Sequence, residues 1–425
     1  MEPRRLSYIA EACGGTLRGQ DAVASGISTD SRKFSKGHVF FAIKGERFDG
    51  HDYVPELVGG SAVVVERRTV AKCAIIEVEN ARLALGAFAA RYRSDFDLPV
   101  IAVAGSNGKT TTKEVLGTIL EQKFPTVRSE ASFNNDIGVP LTLLRIGTEH
   151  GAAVVEVGTN HPGELAPLVR MVQPKYGIIT SIGREHLEFF GDVAGAAQEE
   201  GWLAELLPAD GKLFVGDGEW TERIARRTRA TVVWATPKLK FKTYLLGRHQ
   251  RLNVALAVAV ARELGLSDDQ IQKGLDRCKP AKMRLELWEA NGVQVLDDSY
   301  NANADSMLAA LETLMELPSR GRKAAILGDM AELGEHAEAA HAEVGKRVGE
   351  LGIDLLIAVG KYAAVTAKGA RNAEQFPDVE SACKAVPKLI RAGDLVLLKA
   401  SRAMRLERIG EILKNTSFSD SKVAT

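Results

Sequence analysis

From Val100 onward, short runs of consecutive apolar residues alternate with longer stretches in which apolar positions recur every three or four residues. VIAVAG (100–105), AAVVEVG (152–158) and YGIITSIG (176–183) have the length of strands buried on both faces. KEVLGTILEQ (113–122) has the spacing of a helix, and HQRLNVALAVAVAREL (249–264) is apolar on nearly every side, which predicts a buried one. A second alternating unit starts near Arg284, with VQVLDDS, KAAILGD, DLLIAVG and DLVLLKA as strands and a helix over 335–351. Such alternation predicts α/β domains with open, mostly parallel sheets. Residues before 98 read differently: short β-like runs (HVFFAIKG, SAVVVE) lie between glycine-rich turns, and one helix is predicted over Ala81–Arg93. The expected division is a small α/β domain (1–97), a central parallel-sheet domain (98–281) and a C-terminal Rossmann-like α/β domain (282–425), ending in a polar tail, NTSFSDSKVAT.

Bulk properties narrow the function. A chain of 425 residues exceeds one comfortable core. Lys plus Arg and Asp plus Glu balance at 55 each, which argues against broad affinity for nucleic acid or anionic membrane. MEPRRLSYIAEACGG lacks the apolar segment of a signal peptide, and Val254–Ala261 is far too short to span a bilayer. Cys13, Cys73, Cys278 and Cys383 are scattered without a C-x-x-C pair, as expected of reduced thiols in a cytoplasmic protein.

One stretch carries chemistry. VAGSNGKTT (103–111) joins a strand to a helix, as a phosphate loop does, but Val103 stands where G-x-x-x-x-G-K-[ST] wants its first glycine. The loop is the shorter G-S-N-G-K-T of Gly105, Ser106, Asn107, Gly108, Lys109 and Thr110, followed by Thr111. Its glycines let amides face a phosphate, Lys109 would neutralise the β- and γ-phosphates, and the Thr110 hydroxyl would sit on Mg²⁺. This predicts binding of a nucleoside triphosphate. Glu156 ends one later strand and His186 follows another, where open α/β sheets put their ligands. Taken singly, the glutamate could equally be an ion-pair partner and the histidine a structural one.

These residues resemble the Mur ligases, and the likeness runs through almost the whole chain. It is carried by STDSRKFSKGHVFFAIKGERFDGHDYV (28–54), GSNGKTTTKEVLGTIL (105–120), NNDIGVPLTLL (134–144) and EVGTNHPGE (156–164). GREHLEFFGD (183–192), DDSYNANADSM (297–307), LGDMAELGE (327–335) and KASRAMRLE (399–407) complete it. The resemblance implies three domains, binding UDP-substrate, ATP with Mg²⁺, and closing over the ATP in turn. It implies an ATP-dependent amide ligase of cytoplasmic peptidoglycan precursor synthesis, monomeric and engaging neither nucleic acid nor membrane. Its substrates would be UDP-N-acetylmuramoyl-tripeptide, activated as an acyl phosphate, and D-alanyl-D-alanine, whose amine attacks it. By position, Lys109, His186 and Arg284 are the implied catalytic residues, and Asn253, Arg284 and Asp298 join the loop in holding ATP. Thr110, Glu156 and His186 would ligate two Mg²⁺ ions. Thr29, Asp30, Ser31, Arg32, Asn134, Asn135, Asn160 and His161 match the UDP-substrate side; Lys399, Ser401 and Arg402 match a motif of no derived role.

The sequence departs from the family in places. Many Mur ligases carry a lysine after HLEFFGDVAG that becomes carbamylated and serves the second Mg²⁺; here Glu200 falls at that position, and it is expected to supply the carboxylate directly. Gln250 follows the histidine where an asparagine is usual, and Ala131–Asn135 has lost one amide of G-N-x-N-N. Ala304, Ala400 and Ala403 replace a proline and two glycines, and the stretch from Gly218 to Gly247 looks trimmed. Three other readings stand beside the main one: a related Mur-type or folylpolyglutamate-type ligase, a non-catalytic nucleotide-binding homologue, and a GTPase-like switch. The last lacks an N-K-x-D base-reading motif.

Overall fold

The computed structural model describes residues 1–418; most of the expected polar tail lies outside them. Besides a two-stranded antiparallel pair, Arg4–Arg5 with Val23–Ala24, three larger sheets follow one another along the chain. The first has strands in the order Thr16–Arg18, Ala74–Glu77, Ala62–Val65, His38–Phe41, Gly26–Ser28, parallel except for the first pair. The second, in the order Thr231–Ala235, Lys212–Gly216, Tyr176–Ile179, Val100–Ala104, Ala152–Glu156, Thr126–Arg128, is parallel throughout. The third runs Glu286–Ala290, Val293–Asp297, Leu395–Lys399, Lys323–Gly328, Leu355–Val359, Ala373–Phe376. Only its first pair is antiparallel.

The continuous apolar runs form the central strands because both faces are covered. Val100–Ala104 is wholly buried, with helices on either side. The phosphate-loop helix Lys109–Leu120 lies against His249–Glu263, the helix expected to be buried, and against Asp268–Arg277. That second contact needs Gly274, since a Cβ there would stand 2.5 Å from the Cα of Ile119. The expected helix over 335–351 is Ala337–Leu351, preceded by a 3-10 turn, Gly334–His336.

The helix Ala81–Arg93 forms over the expected residues, but it also fastens the first sheet to the second. Beyond its own sheet it packs on the helices Gly138–Leu143 and Leu165–Val172. The buried Tyr92 hydroxyl donates to the Ile146 carbonyl (2.5 Å) and Arg93 Nε donates to the Val172 carbonyl (3.2 Å). One apolar core therefore runs from Leu6 through Phe88 to Val155 and Leu203. All four cysteines are unpaired; burial pushes the Cys13 thiol up to about 12 and the Cys278 thiol up to about 11. Among the described residues no helix is long and apolar enough to cross a membrane.

The third sheet meets the second through polar contacts around one segment. Arg184 pairs with Asp305 (2.7 Å) and Glu343 (2.5 Å), and Asn303 Nδ2 donates to Asn107 Oδ1 (3.0 Å). Between the sheets and the helix Ala81–Arg93 opens a cavity of about 1260 Å³, onto which the C-terminal ends of the central strands look.

Candidate active site

The loop after Val100–Ala104 is shaped by two glycines in backbone conformations that L-residues avoid: Gly105 at φ +115° and Gly108 at φ +88°. Neither position has room for a side chain. A Cβ on Gly105 would lie 2.5 Å from Thr180 Oγ1, and one on Gly108 would lie 2.5 Å from Asn253 Oδ1. The first three loop amides are already engaged. Gly105 N donates to Glu200 (2.7 Å), Ser106 N to the Ser181 carbonyl (2.8 Å) and Asn107 N to Ser181 Oγ (3.2 Å). The amides of the helix's first turn, which begins at Lys109, are left free to meet an anion.

Lys109 folds back to donate to the Gly105 carbonyl and stands 3.5 Å from Glu185. Burial works against its charge, but the carboxylates of Glu185, Glu200 and Glu156 outweigh burial and hold the ammonium above its ordinary range. Thr110 Oγ1 donates to Glu156 Oε1 (3.2 Å), which also accepts from Asn134 Nδ2 (3.0 Å). Glu156 Oε2 is buried with no hydrogen-bond partner. That oxygen faces only the buried Lys113 ammonium, 3.7 Å away, and a hydroxyl beside such a carboxylate is a donor set suited to a hard divalent cation such as Mg²⁺.

The structure does not gather all four expected metal ligands. Among the described residues no three His, Cys, Asp or Glu side chains converge tightly enough to hold an ion. Glu200 is the outlier: wholly buried, it sits behind the loop and does not line the cavity. From the C-terminal end of the helix Val193–Glu200 its Oε2 caps the Gly105 amide, and Oε1 is buried without a hydrogen-bond partner. Burial, reinforced by Glu185, pushes its carboxyl up to about 8. Glu199 next to it is also structural, accepting from Gly163 N (2.9 Å) and Leu165 N (2.8 Å) at the start of a helix.

Arg284 and Asp298 approach from the C-terminal side and line the cavity with the loop. The Arg284 guanidinium lies over the Tyr300 ring, 4.1 Å from its centroid, and reaches to 3.5 Å from Ser132 Oγ. Asp298 accepts from Lys399 Nζ (2.5 Å) and Leu285 N (3.1 Å). The buried Lys399 also donates to the Asn301 carbonyl (3.0 Å), and Ser401 Oγ accepts from Ala331 N (2.7 Å). Lys399 thus fastens the turn that presents Asp298, and Ser401, whose Oγ donates to the Ala302 carbonyl (3.3 Å), ties its far end; Arg402 points away to Glu407 (2.9 Å).

Asn134, Asn135, Asn160, His161 and His186 all line the cavity; Asn253, Thr29, Asp30, Ser31 and Arg32 do not. Asn253 is buried against Gly108 and bonded to Gln250 (2.8 Å), bracing the loop from beneath. In the N-terminal segment Asp30 caps a 3-10 turn, Ser31–Lys33, and pairs with Arg32 (2.8 Å), whose guanidinium holds that carboxyl down to about 2. Sequence reasoning missed Lys113, whose buried ammonium donates to the Ser129 (2.8 Å) and Ala131 (2.6 Å) carbonyls, pinning the Asn134 segment. It also passed over Glu185, and over Glu332, which stands 2.5 Å from His186 Nδ1. A lysine one helical turn beyond Lys109 was the only available signal for any of these.

A short glycine turn joining a strand of a parallel sheet to a helix that opens with Lys-Thr places the central domain in the phosphate-loop class of nucleotide-binding folds, here with a second α/β sheet docked over it. The comparisons with known proteins narrow that class. Residues 103–234 match the model of the Mur ligase middle domain, 283–402 that of the Mur ligase glutamate ligase domain, and 23–93 that of the Mur ligase family catalytic domain. The UDP-N-acetylmuramoyl-tripeptide–D-alanyl-D-alanine ligase of Escherichia coli strain K12 is 33% identical, covering 96% of this chain and 98% of that one. A crystal structure of MurF from Acinetobacter baumannii superposes with a TM-score of 0.91 at 32% identity, covering 98% of this chain and 100% of that one. MurF from Thermotoga maritima, solved in complex with ADP, gives 0.83 at 27% identity, with 92% and 97% covered. The chain belongs to the Mur ligase family.

Proposed function

We propose that the protein joins D-alanyl-D-alanine to UDP-N-acetylmuramoyl-tripeptide, driven by ATP, through an acyl phosphate. The observation that carries this reading is one cavity lined by Lys109, Thr110 and Glu156 from the central sheet and by Arg284 and Asp298 from the C-terminal side. A carboxylate does not react with an amine unless it first gains a leaving group. Phosphoryl transfer between two anions in turn needs positive charge placed where the phosphoryl group travels.

In this reading Lys109 leaves the Gly105 carbonyl and Glu185 for the triphosphate, whose oxygens also accept from the first-turn amides. Arg284 meets the transferring phosphoryl from the opposite wall, and Asp298 serves the ribose. Thr110 and Glu156 would hold Mg²⁺, with His186 from the cavity wall, and the ion supplies charge neutralisation when bound. A second Mg²⁺ would add to that neutralisation, and Glu200 holds the Gly105 amide of the loop. Asn134, Asn135, Asn160 and His161 receive the peptide end of the UDP-substrate, and residues 1–97, with Thr29–Arg32, its uridine end. Residues 98–281 carry ATP and 282–425 close over it.

Purified protein given Mg-ATP and both substrates is expected to form the UDP-linked pentapeptide, seen by mass spectrometry. Pentapeptide absent with these substrates, while another amino acid or dipeptide is added, would replace the reading with that of a related ligase.

A further inference from the structure

His186 enters the cavity wall from a left-handed backbone conformation (φ +46°) at the start of the short helix Leu187–Phe190. The segment around it belongs to the central sheet's side, yet the C-terminal side grips it along its length. Arg184 is paired to Asp305 and Glu343, and Leu187 is buried in the C-terminal core. The Glu188 amide donates to the Glu332 carbonyl (3.0 Å), and the His336 ring bonds the Gly191 carbonyl (3.0 Å).

Within that grip Glu332, also left-handed at φ +58°, sets Oε2 2.5 Å from Nδ1 of His186. The backbone bond through its carbonyl and the side-chain bond through its carboxylate fix Glu332 at two points on the same segment. A carboxylate at Nδ1 decides which imidazole nitrogen carries the proton: Nδ1–H donates to it, and Nε2 keeps its lone pair.

We propose that Glu332 is a positioning residue, delivered by the C-terminal domain, that locks His186 in the Nδ1–H tautomer and leaves Nε2 free at the cavity wall. His186 is then competent only when the two domains are docked. The inference rests on the ligase reading for what His186 does, but not for how its ring is held.

Imidazole ¹⁵N shifts in histidine-labelled protein, assigned with His186→Ala, test it at pH about 9, well above the ordinary imidazole range. Wild type is expected to show His186 as Nδ1–H, and Glu332→Ala to move the ring towards Nε2–H. Glu332→Gln, which keeps an acceptor, is expected to fall between them, and the exposed-loop control Glu335→Gln to match wild type. Alongside, kcat for pentapeptide formation should fall about 10–100-fold in Glu332→Ala, with the KM for the UDP-substrate changed less than about threefold. The same tautomer in wild type and Glu332→Ala would overturn the proposal, as would an unchanged kcat in a variant whose tautomer had shifted. If wild type made no pentapeptide, the ligase reading would fail, and the tautomer comparison would still decide the role of Glu332.

Discussion

Lys109 is parked: it bonds its own loop and leans on Glu185, so a triphosphate must draw it away from both. Lys109→Ala is expected to lower kcat by about 10²–10³-fold, the usual loss when one group stabilising a transferring charge is removed. The melting temperature should stay close to wild type, and steady-state kinetics beside a thermal melt check both. Glu200 separates two accounts of the buried acids. Its carboxyl is raised to about 8 by burial and Glu185, towards the protonated form. Glu200→Gln should therefore keep turnover within about threefold, since an amide still accepts from Gly105 N and can donate where the acid proton did. Glu200→Ala, which orphans that amide, should cost about 1–3 kcal/mol in urea unfolding. Turnover abolished equally by both substitutions would mean that a charge is required there, as for a metal ligand.

The loop and helix that present these groups depend on backbone shape. Gly108→Ala forces a β-carbon into a left-handed position and against Asn253, so it should lower stability by about 1–2 kcal/mol and weaken ATP-analogue binding at least tenfold in calorimetry. Binding at wild-type strength would show that the loop can be rebuilt without that conformation. At this scale the sequence was most legible. Buried strands and the helix Ala81–Arg93 were readable because continuous apolar runs and i, i+4 spacing arise from local geometry. Thr126–Arg128, Lys212–Gly216 and Thr231–Ala235 went unread; the first is too short to show a pattern, while the runs LFVG and VVWA of the other two were a readable signal that was not used. The hairpin Glu286–Ala290 to Val293–Asp297 had a readable signal that was not used, Asn291-Gly292, which turns with both residues at positive φ.

The whole molecule holds what no local pattern could show. Tyr300 against Ser132, Asn303 against Asn107, and Glu332 against His186 pair residues from about 150 to nearly 200 positions apart, and spacing along a chain carries no trace of them. Motif resemblance brought Asp298 and Arg284 to the cavity and placed Glu200 among the metal ligands; here Glu200 caps the Gly105 amide with Oε2, and its Oε1 is buried without a partner. Docking of the C-terminal side is polar and only partly buried, so it should be adjustable. Arg184→Ala, which removes two ion pairs, should cost only about 0.5–1 kcal/mol in stability but raise the radius of gyration seen by small-angle scattering. An unchanged radius with saturating ATP analogue and UDP-substrate would show that Arg184 does not hold the domains together. The central claim, that this cavity turns a peptide carboxylate into an acyl phosphate, has a direct test. UDP-N-acetylmuramoyl-tripeptide labelled with ¹⁸O in its terminal carboxylate is turned over with Mg-ATP and D-alanyl-D-alanine, and the released phosphate is weighed by mass spectrometry. The account predicts one ¹⁸O carried from the carboxylate into each phosphate; phosphate released without label would contradict it.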